Sequence, residues 1–296
     1  MVSNVSISKE KINIHTSFDT SLISPINCGG IALNLVFPQS EEELRLAVKY
    51  AKDRKLKLTV LGSLTNTLIL APIIEGLTIV TTKLKGIKIV QNTLISYSGE
   101  SINKIVNTSI ENNLSGLESL AGLPGSLGGA IFGNAGAFGS AISDYLKSIK
   151  IMLEDGSIIE IQNSKELFSY RASHLPQGAI IVSATFSLNK CEDKQILDNK
   201  KNEVLNKRKT LGQFDQKSLG CVFKNPKDKS AGLLIDSLGL KGFKLNSAEV
   251  SSKHGNFISF CDKPKAEDYI KLALLVKQRV KAETGIDLEF EIQIIN

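Results

Sequence analysis

Gly122-Leu-Pro-Gly-Ser-Leu-Gly-Gly-Ala130, followed by Gly133-Asn-Ala-Gly-Ala-Phe-Gly139, is the stretch on which the reading of this chain turns. It lies within Ser119–Ile142, 24 residues without a charge, which by hydropathy alone imitate a membrane span. Seven of those residues are Gly and one is Pro. A helix there would lose about 1 kcal/mol at each Gly and about 3 kcal/mol at the Pro relative to Ala, so a backbone-lined loop is the better reading and no membrane insertion is expected. Gly122, Pro124, Gly125, Ser126, Gly128 and Gly129, then Asn134, Ala135 and Gly136, define a path with few side chains. Backbone N–H groups on such a path can approach a phosphate, and Ser126 adds a hydroxyl near a possible helix start. A dinucleotide pyrophosphate suits it; close helix packing through glycine is the alternative. The spacing matches neither the Rossmann fingerprint nor a P-loop, because no Gly-Lys-Ser/Thr occurs.

About sixty residues upstream, an expected strand runs into Gly62-Ser63-Leu64-Thr65-Asn66, whose amides and hydroxyls can form a second anion nest. An ordinary strand-to-loop turn would explain this segment alone; the pair of loops favours one extended ligand. Around them the pattern is mixed. Ser40-Glu-Glu-Glu43 is a capping box before Leu44, Ala47, Val48 and Ala51 at helical spacing, which predicts a helix to about Arg54. Leu56–Leu61, Leu77–Thr82, Ile87–Val90 and Leu94–Ser98 read as strands, with a second helix on Ile102, Val106 and Ile110. Ser148–Glu154 and Ser157–Ile161 flank the hairpin signal Asp155-Gly156, and Ala179–Leu188 reads as a buried strand.

The pattern changes at residues 191–209, which are heavily charged, with Ile196, Val204 and Leu205 spaced for a surface helix. A domain boundary is therefore expected between 190 and 191. Beyond it, Ala231–Leu238 reads as a short helix closed by Gly239, Ala248–Phe260 carries strand-like apolar residues, and Pro264 opens a long helix that ends before Gly285. Leu288-Glu-Phe-Glu-Ile-Gln-Ile294 alternates strictly, which predicts a strand with Glu289 and Glu291 on one face and apolar residues on the other. The fold class is α+β.

With 42% hydrophobic and 22% charged residues the chain is too apolar for intrinsic disorder, and 296 residues leave room for two or three domains. The net charge of +6 fits an anionic small ligand as well as a nucleic acid. The absence of Trp, and of Phe or Tyr clustered with Lys or Arg, argues against nucleic acid. Cys28, Cys191, Cys221 and Cys261, like His15, His174 and His254, show no metal spacing, so no metal is expected. The amino terminus MVSNVSISKEKINIH lacks the apolar core of a secretory signal, so a cytoplasmic location with reduced thiols is expected.

Several segments carry a resemblance when taken in order: Gly62–Asn66, Leu123–Ala130 with Asn134–Gly139, Tyr170-Arg171, Gly220-Cys-Val-Phe-Lys-Asn-Pro226, Leu240-Lys-Gly242, Lys253-His-Gly-Asn-Phe257 and Leu288-Glu-Phe-Glu-Ile292. From about Asn27 to Asn296 the chain resembles the UDP-N-acetylenolpyruvoylglucosamine reductase family, in the short form that lacks an extra substrate-covering insertion. The resemblance implies an FAD-binding fold of the vanillyl-alcohol-oxidase type. Its FAD-binding region would be 1–190, with subdomains of about 1–82 and 83–190. A C-terminal α+β substrate domain would follow at 191–296, with the terminal strand 286–296 reaching back to the active site. It also implies NADPH as the reductant and, as substrate, the small molecule UDP-N-acetyl-enolpyruvyl-glucosamine. Another oxidoreductase of the same fold acting on a small alcohol, and a non-enzymatic nucleotide-binding protein, are the alternatives.

On that resemblance both glycine-bearing loops bind flavin, and neither contains a His or Cys for a covalent flavin bond. Arg171, Cys221 and Glu291 match the family's catalytic positions, with Glu289 the competitor on the same strand face. Tyr170, Lys224 and Asn225 match substrate-binding positions. A guanidinium suits an oxygen on which negative charge develops. A thiol, with an ordinary pKa of about 8.5, is protonated at neutral pH and can give that proton away. Cys221 stands where the family commonly has serine, Leu64 where it usually has glycine, and Thr65 where it usually has serine. The usual prolines before Gly220 are absent, with Gln213 and Lys217 near those places. A leucine at position 64 would be strained if the loop needs a positive φ there.

Overall fold

The structure, a computed structural model, describes residues 12–296, so most of the amino-terminal stretch read above lies outside the described residues. Two compact units share the chain. The first comprises the described residues up to Phe18, Ala32–Ser63 and Ile74–Asn206; the second comprises Asp19–Ile31, Leu64–Ile73 and Lys207–Asn296.

In the first unit Ser40 caps helix α1 (Glu41–Asp53), its hydroxyl accepting from Glu43 N at 3.1 Å, while the Glu43 carboxylate accepts from Gln39 N at 2.9 Å. Leu44, Ala47, Val48 and Ala51 are buried as the helical spacing requires, in a cluster with Leu77 and Ile79. The adjoining sheet orders Ile14–Asp19, Ile31–Val36, Leu77–Val80 and Leu58–Leu61, with parallel pairs Leu35 to Thr78 and Leu58 to Leu77. A second, antiparallel sheet orders Ile158–Gln162, Leu146–Met152, Ile180–Ser187, Thr93–Tyr97 and Ile87–Val90. Ile180–Ser187 is its central strand, which explains a run too apolar to alternate. Helices α2 (Ile102–Glu111) and α3 (Leu127–Phe132) pack in its core.

The uncharged stretch is therefore a 3-10 turn, the six-residue α3 and the small hairpin of Gly136–Ala137 with Ser140–Ala141. Among the described residues no helix is long and apolar enough to cross a membrane. Helix α4 (Lys194–Thr210) forms where the charged segment predicts it, but its anchor differs. Leu197 is fully buried, with Val204 and Leu205 beside it in the cluster, whereas Ile196 is exposed.

The second unit is built on helices α5 (Ala231–Ser237) and α6 (Ala266–Thr284), with Leu68, Tyr269, Leu272 and Leu288 fully buried in one cluster. The single cut expected at 190/191 differs from the compact units, which divide within α4 and gather residues 64–73 into the second. The reason is pairing: Thr67–Ile69 runs parallel with Gln293–Ile295, and Leu68 fills the second unit's core. Ala248–Phe260 is not one strand. It forms Ala248–Val250 and Ile258–Phe260, antiparallel to each other, because the polar Lys253-His-Gly-Asn run turns the chain between them. The predicted terminal strand is regular only at Gln293–Ile295. Residues 289–291 lie instead along 222–224, where Lys224 N donates to Glu289 O and Glu291 N to Val222 O, both at 2.8 Å. The expected alternation survives in part: Leu288 and Ile292 are inside and Glu289 is exposed, while Phe290 and Glu291 are both half-buried.

Candidate active site

The glycine-rich run of the first unit surrounds a buried hydroxyl. Ser126 Oγ has no hydrogen-bond partner among the described residues, and a Cβ on Gly62 would stand 2.5 Å from it. Gly62 and Gly129 leave open the space that side chains would fill around that oxygen, and Gly129 is exposed. Such a cradle, with an unsatisfied donor at its base, fits a phosphate oxygen. Some amides of the run are already taken: Leu127 N donates to Glu100 O (2.9 Å), Gly128 N to Ser98 O (2.8 Å) and Gly122 N to Asn103 Oδ1 (2.7 Å). Anion contacts must come from Ser126 Oγ and the remaining donors. Pro124 is exposed and Gly125 has φ +123°.

Asn134, Ala135 and Gly136 have structural tasks that their sequence does not announce. Asn134 Nδ2 donates to Ser169 O at 2.9 Å, Ala135 N donates to Ala130 O at 2.7 Å, and a Cβ on Gly136 would lie 2.3 Å from Ser140 O. The first tie orients the hairpin of Phe168–Ser169 and Ala172–Ser173, further docked by Ser173 Oγ donating to Phe132 O (2.8 Å). Tyr170 and Arg171 form its turn. Arg171 has φ +57°, a strained conformation for a non-glycine residue, and its guanidinium lies 5.3 Å from the centre of the exposed Tyr170 ring.

The first loop divides between the units after Ser63. Leu64 has φ +59° and is buried, so this left-handed position costs about 1–2 kcal/mol that the usual glycine would avoid. Thr65 is half-buried. Asn66 serves the second unit: its Nδ2 donates to Glu291 O (3.0 Å) and its carbonyl accepts from Gln293 N (2.8 Å).

Cys221 follows Gly220, is partly exposed, and forms a backbone bridge with Phe257. Val222 O accepts from Glu291 N, so the second unit brings the Cys221 and Glu291 runs together. Phe223 and Phe290 bridge and stack at 5.3 Å. Lys224 Nζ meets Glu289 Oε2 at 3.4 Å, and Asn225 Oδ1 accepts from Ala231 N at 3.0 Å, holding the start of α5. Tyr170 and Arg171 belong to the first unit.

Asn256 enters the sequence motifs only as part of Lys253–Phe257, yet it holds the Cys221 run. Its Oδ1 accepts from Phe223 N (3.0 Å), its Nδ2 donates to Phe223 O (2.8 Å), and its carbonyl accepts from Val222 N (2.9 Å). A fully buried Asn between two strands is the signal that could have found it. His254 sets Asn256 in turn: Nδ1 accepts from Asn256 N at 3.3 Å, and the ring lies 4.3 Å from Phe257. Burial holds this imidazole below its ordinary value, with Lys241 adding to the effect. The unfolded chain therefore takes up the proton more readily, so this stability is complete above about pH 6.5 and is lost as pH falls through the lower folded value. The thermal midpoint is expected to stay level above pH 6.5 and to fall below it. His254→Gln should flatten that slope in a melting series from pH 7.5 to 5; an unchanged slope would refute the assignment.

Two family models match the chain: an FAD binding domain over residues 32–162, and the C-terminal domain of UDP-N-acetylenolpyruvoylglucosamine reductase over residues 212–295. A reductase of that name from Lactobacillus acidophilus is 35% identical over 293 residues, 98% of each chain. One from Clostridium tetani is 34% identical over 97% of this chain and 91% of its own. The crystal structure of the enzyme from Thermus caldophilus superposes with a TM-score of 0.82 at 30% identity, covering 96% of this chain and all of that one.

Proposed function

The chain belongs to the UDP-N-acetylenolpyruvoylglucosamine reductase family, and from that premise we propose that it reduces UDP-N-acetyl-enolpyruvyl-glucosamine to UDP-N-acetylmuramate, a step of peptidoglycan precursor synthesis in the bacterial cytoplasm. Bound FAD would supply the hydride chemistry between NADPH and the enolpyruvyl double bond. The Ser126 cradle and the Gly62 loop would hold its phosphates, with flavin binding assigned to the region 1–190 and the sugar nucleotide to 191–296.

The remaining roles belong to side chains. Arg171 neutralises charge developing on the carboxylate or enol oxygen, a task suited to a guanidinium. Cys221 gives its proton to the carbon next to the carboxylate. Its S–H pair stays on sulfur, which is reprotonated from solvent. Glu291 faces the charge that builds at the reacting double bond, and Lys224, Asn225 and Tyr170 hold the diphosphate and sugar. The observation that supports the reading is the 2.8 Å bond from Glu291 N to Val222 O, which joins the run that follows Cys221 to the run that carries Glu291.

Anaerobic NADPH is expected to bleach the flavin bands, and the enolpyruvyl sugar nucleotide alone to restore them with formation of the muramate. Bleaching without reoxidation would refute the substrate. Because both loops lack His and Cys, acid precipitation is also expected to release all FAD into the supernatant. Flavin left on the pellet would show a covalent link.

A further inference from the structure

The run that carries Glu291 is held by two sets of ties, and one of them belongs to a side chain outside the site. The first set is backbone: Lys224 N donates to Glu289 O and Glu291 N to Val222 O, both at 2.8 Å. The second is Lys277, half-buried on α6. Its Nζ donates to the carbonyl of the buried Leu288 at 2.6 Å and lies 2.9 Å from Asp287 Oδ1. The same ammonium stands 5.9 Å from the centre of the Phe290 ring, which stacks on the buried Phe223 at 5.3 Å. An ammonium has three donors and is attracted to a ring face, so one side chain grips three residues of the run. The backbone ties alone do not choose between the two glutamates. Glu289 and Glu291 are two residues apart, so a pairing slipped by two would keep both on one face and bring Glu289 N opposite Val222 O. The grip of Lys277 does not survive that slip. Gly285 would take the place of Asp287, and Leu288 that of Phe290, so the ion pair and the ring contact would both be lost.

We infer that Lys277 is a positioning residue for Glu291: by gripping Asp287, Leu288 and Phe290 it sets the register in which Glu291, and not Glu289, is bonded to the run that follows Cys221. The inference rests on the reading of Glu291 as the carboxylate of the second half-reaction. Among the described residues Lys281, one turn further along α6, shares only Asp287 with Lys277, at 3.0 Å. It has the same charge on the same helix and leaves Leu288 and Phe290 to Lys277, which makes it the control.

The test uses the FAD-loaded enzyme and its Lys277→Met variant, which keeps an unbranched stem and removes the ammonium. Reoxidation by the enolpyruvyl sugar nucleotide should slow about tenfold while reduction by NADPH stays normal, because only the second half-reaction uses the displaced carboxylate. In steady state kcat should fall with KM for the sugar nucleotide within about twofold. Hydrogen exchange over residues 287–293 should quicken about tenfold. Lys277→Arg keeps the charge and should recover most of the rate, whereas Lys281→Met should leave it within about twofold. In a Glu291→Gln background Lys277→Met should slow reoxidation by no more than about twofold further, since the carboxylate it positions is already gone. Normal reoxidation in Lys277→Met, equal slowing with and without the Glu291 carboxylate, or an equal loss in Lys281→Met overturns the inference. If Glu291→Gln itself reoxidises normally, the reading of Glu291 falls instead, and quicker exchange over 287–293 in Lys277→Met but not in Lys281→Met still supports the grip on the run.

Discussion

Cys221→Ala is expected to separate the two halves of the reaction: the variant should bind FAD and be bleached by NADPH at the normal rate, yet be reoxidised by the enolpyruvyl sugar nucleotide about a hundredfold more slowly or worse. The first half needs no proton from the protein to the sugar; the second needs one at the carbon next to the carboxylate. The site is built so that deletion of the thiol leaves its surroundings intact. Asn256 holds Phe223 through both backbone atoms, and Val222 is bonded to Glu291 N and Asn256 O, none of which involves the Cys221 side chain. Cys221→Ser restores a hydroxyl of similar reach and should recover part of the loss, since Arg171 and Glu291 remain. Stopped-flow traces of each half decide it: normal reoxidation in Cys221→Ala would make this cysteine a packing residue.

Local signals were legible because local physics settles them. The Ser40 box became α1, with all four spaced apolar residues buried, because capping and helical periodicity act within a few residues. The hairpin signal at Asp155-Gly156 likewise joins two paired strands, Met152 opposite Ile158. Long-range choices were not legible. Nothing in Thr67-Leu-Ile69 announces that it pairs with the last residues of the chain rather than with the sheet that precedes it. Burial of Leu68 in a cluster made mostly of residues more than 150 positions away decides that, and no local pattern encodes it. The structural ties of the asparagines were equally hidden. Besides matching cofactor-binding positions by resemblance, Asn66 and Asn134 each donate from the side chain to a backbone carbonyl remote in sequence, Glu291 O and Ser169 O, and so orient a neighbour. Leu64 was the reverse case. Its backbone conformation could be foreseen as a condition from the usual glycine, and the structure meets that condition at φ +59°. Why the chain accepts the strain is visible only in three dimensions, where the side chain is buried at 3% exposure.

Glu291→Gln is expected to lower turnover about a hundredfold or more, and Glu289→Gln to change it little. Alternation alone put both carboxylates on one face and could not choose between them. Their surroundings differ. The Glu289 side chain is 75% exposed and pairs with Lys224 at 3.4 Å, an arrangement worth well under about 1 kcal/mol in water. Its removal should loosen Lys224 and weaken substrate binding at most slightly, as a small rise in KM. Glu291 is half-buried, and its backbone is held at both polar atoms, N to Val222 O at 2.8 Å and O from Asn66 Nδ2 at 3.0 Å. A backbone so fixed sets the point from which the carboxylate extends, and stabilisation of developing charge requires such pre-organisation. Glutamine keeps the shape and removes the charge, so folding and FAD content should be unchanged while kcat falls. Steady-state kinetics on both variants separate the cases. A large loss in Glu289→Gln with a nearly normal Glu291→Gln would mean that the C-terminal run is shifted by two residues along Cys221–Asn225, and that the catalytic carboxylate is the one now paired with Lys224.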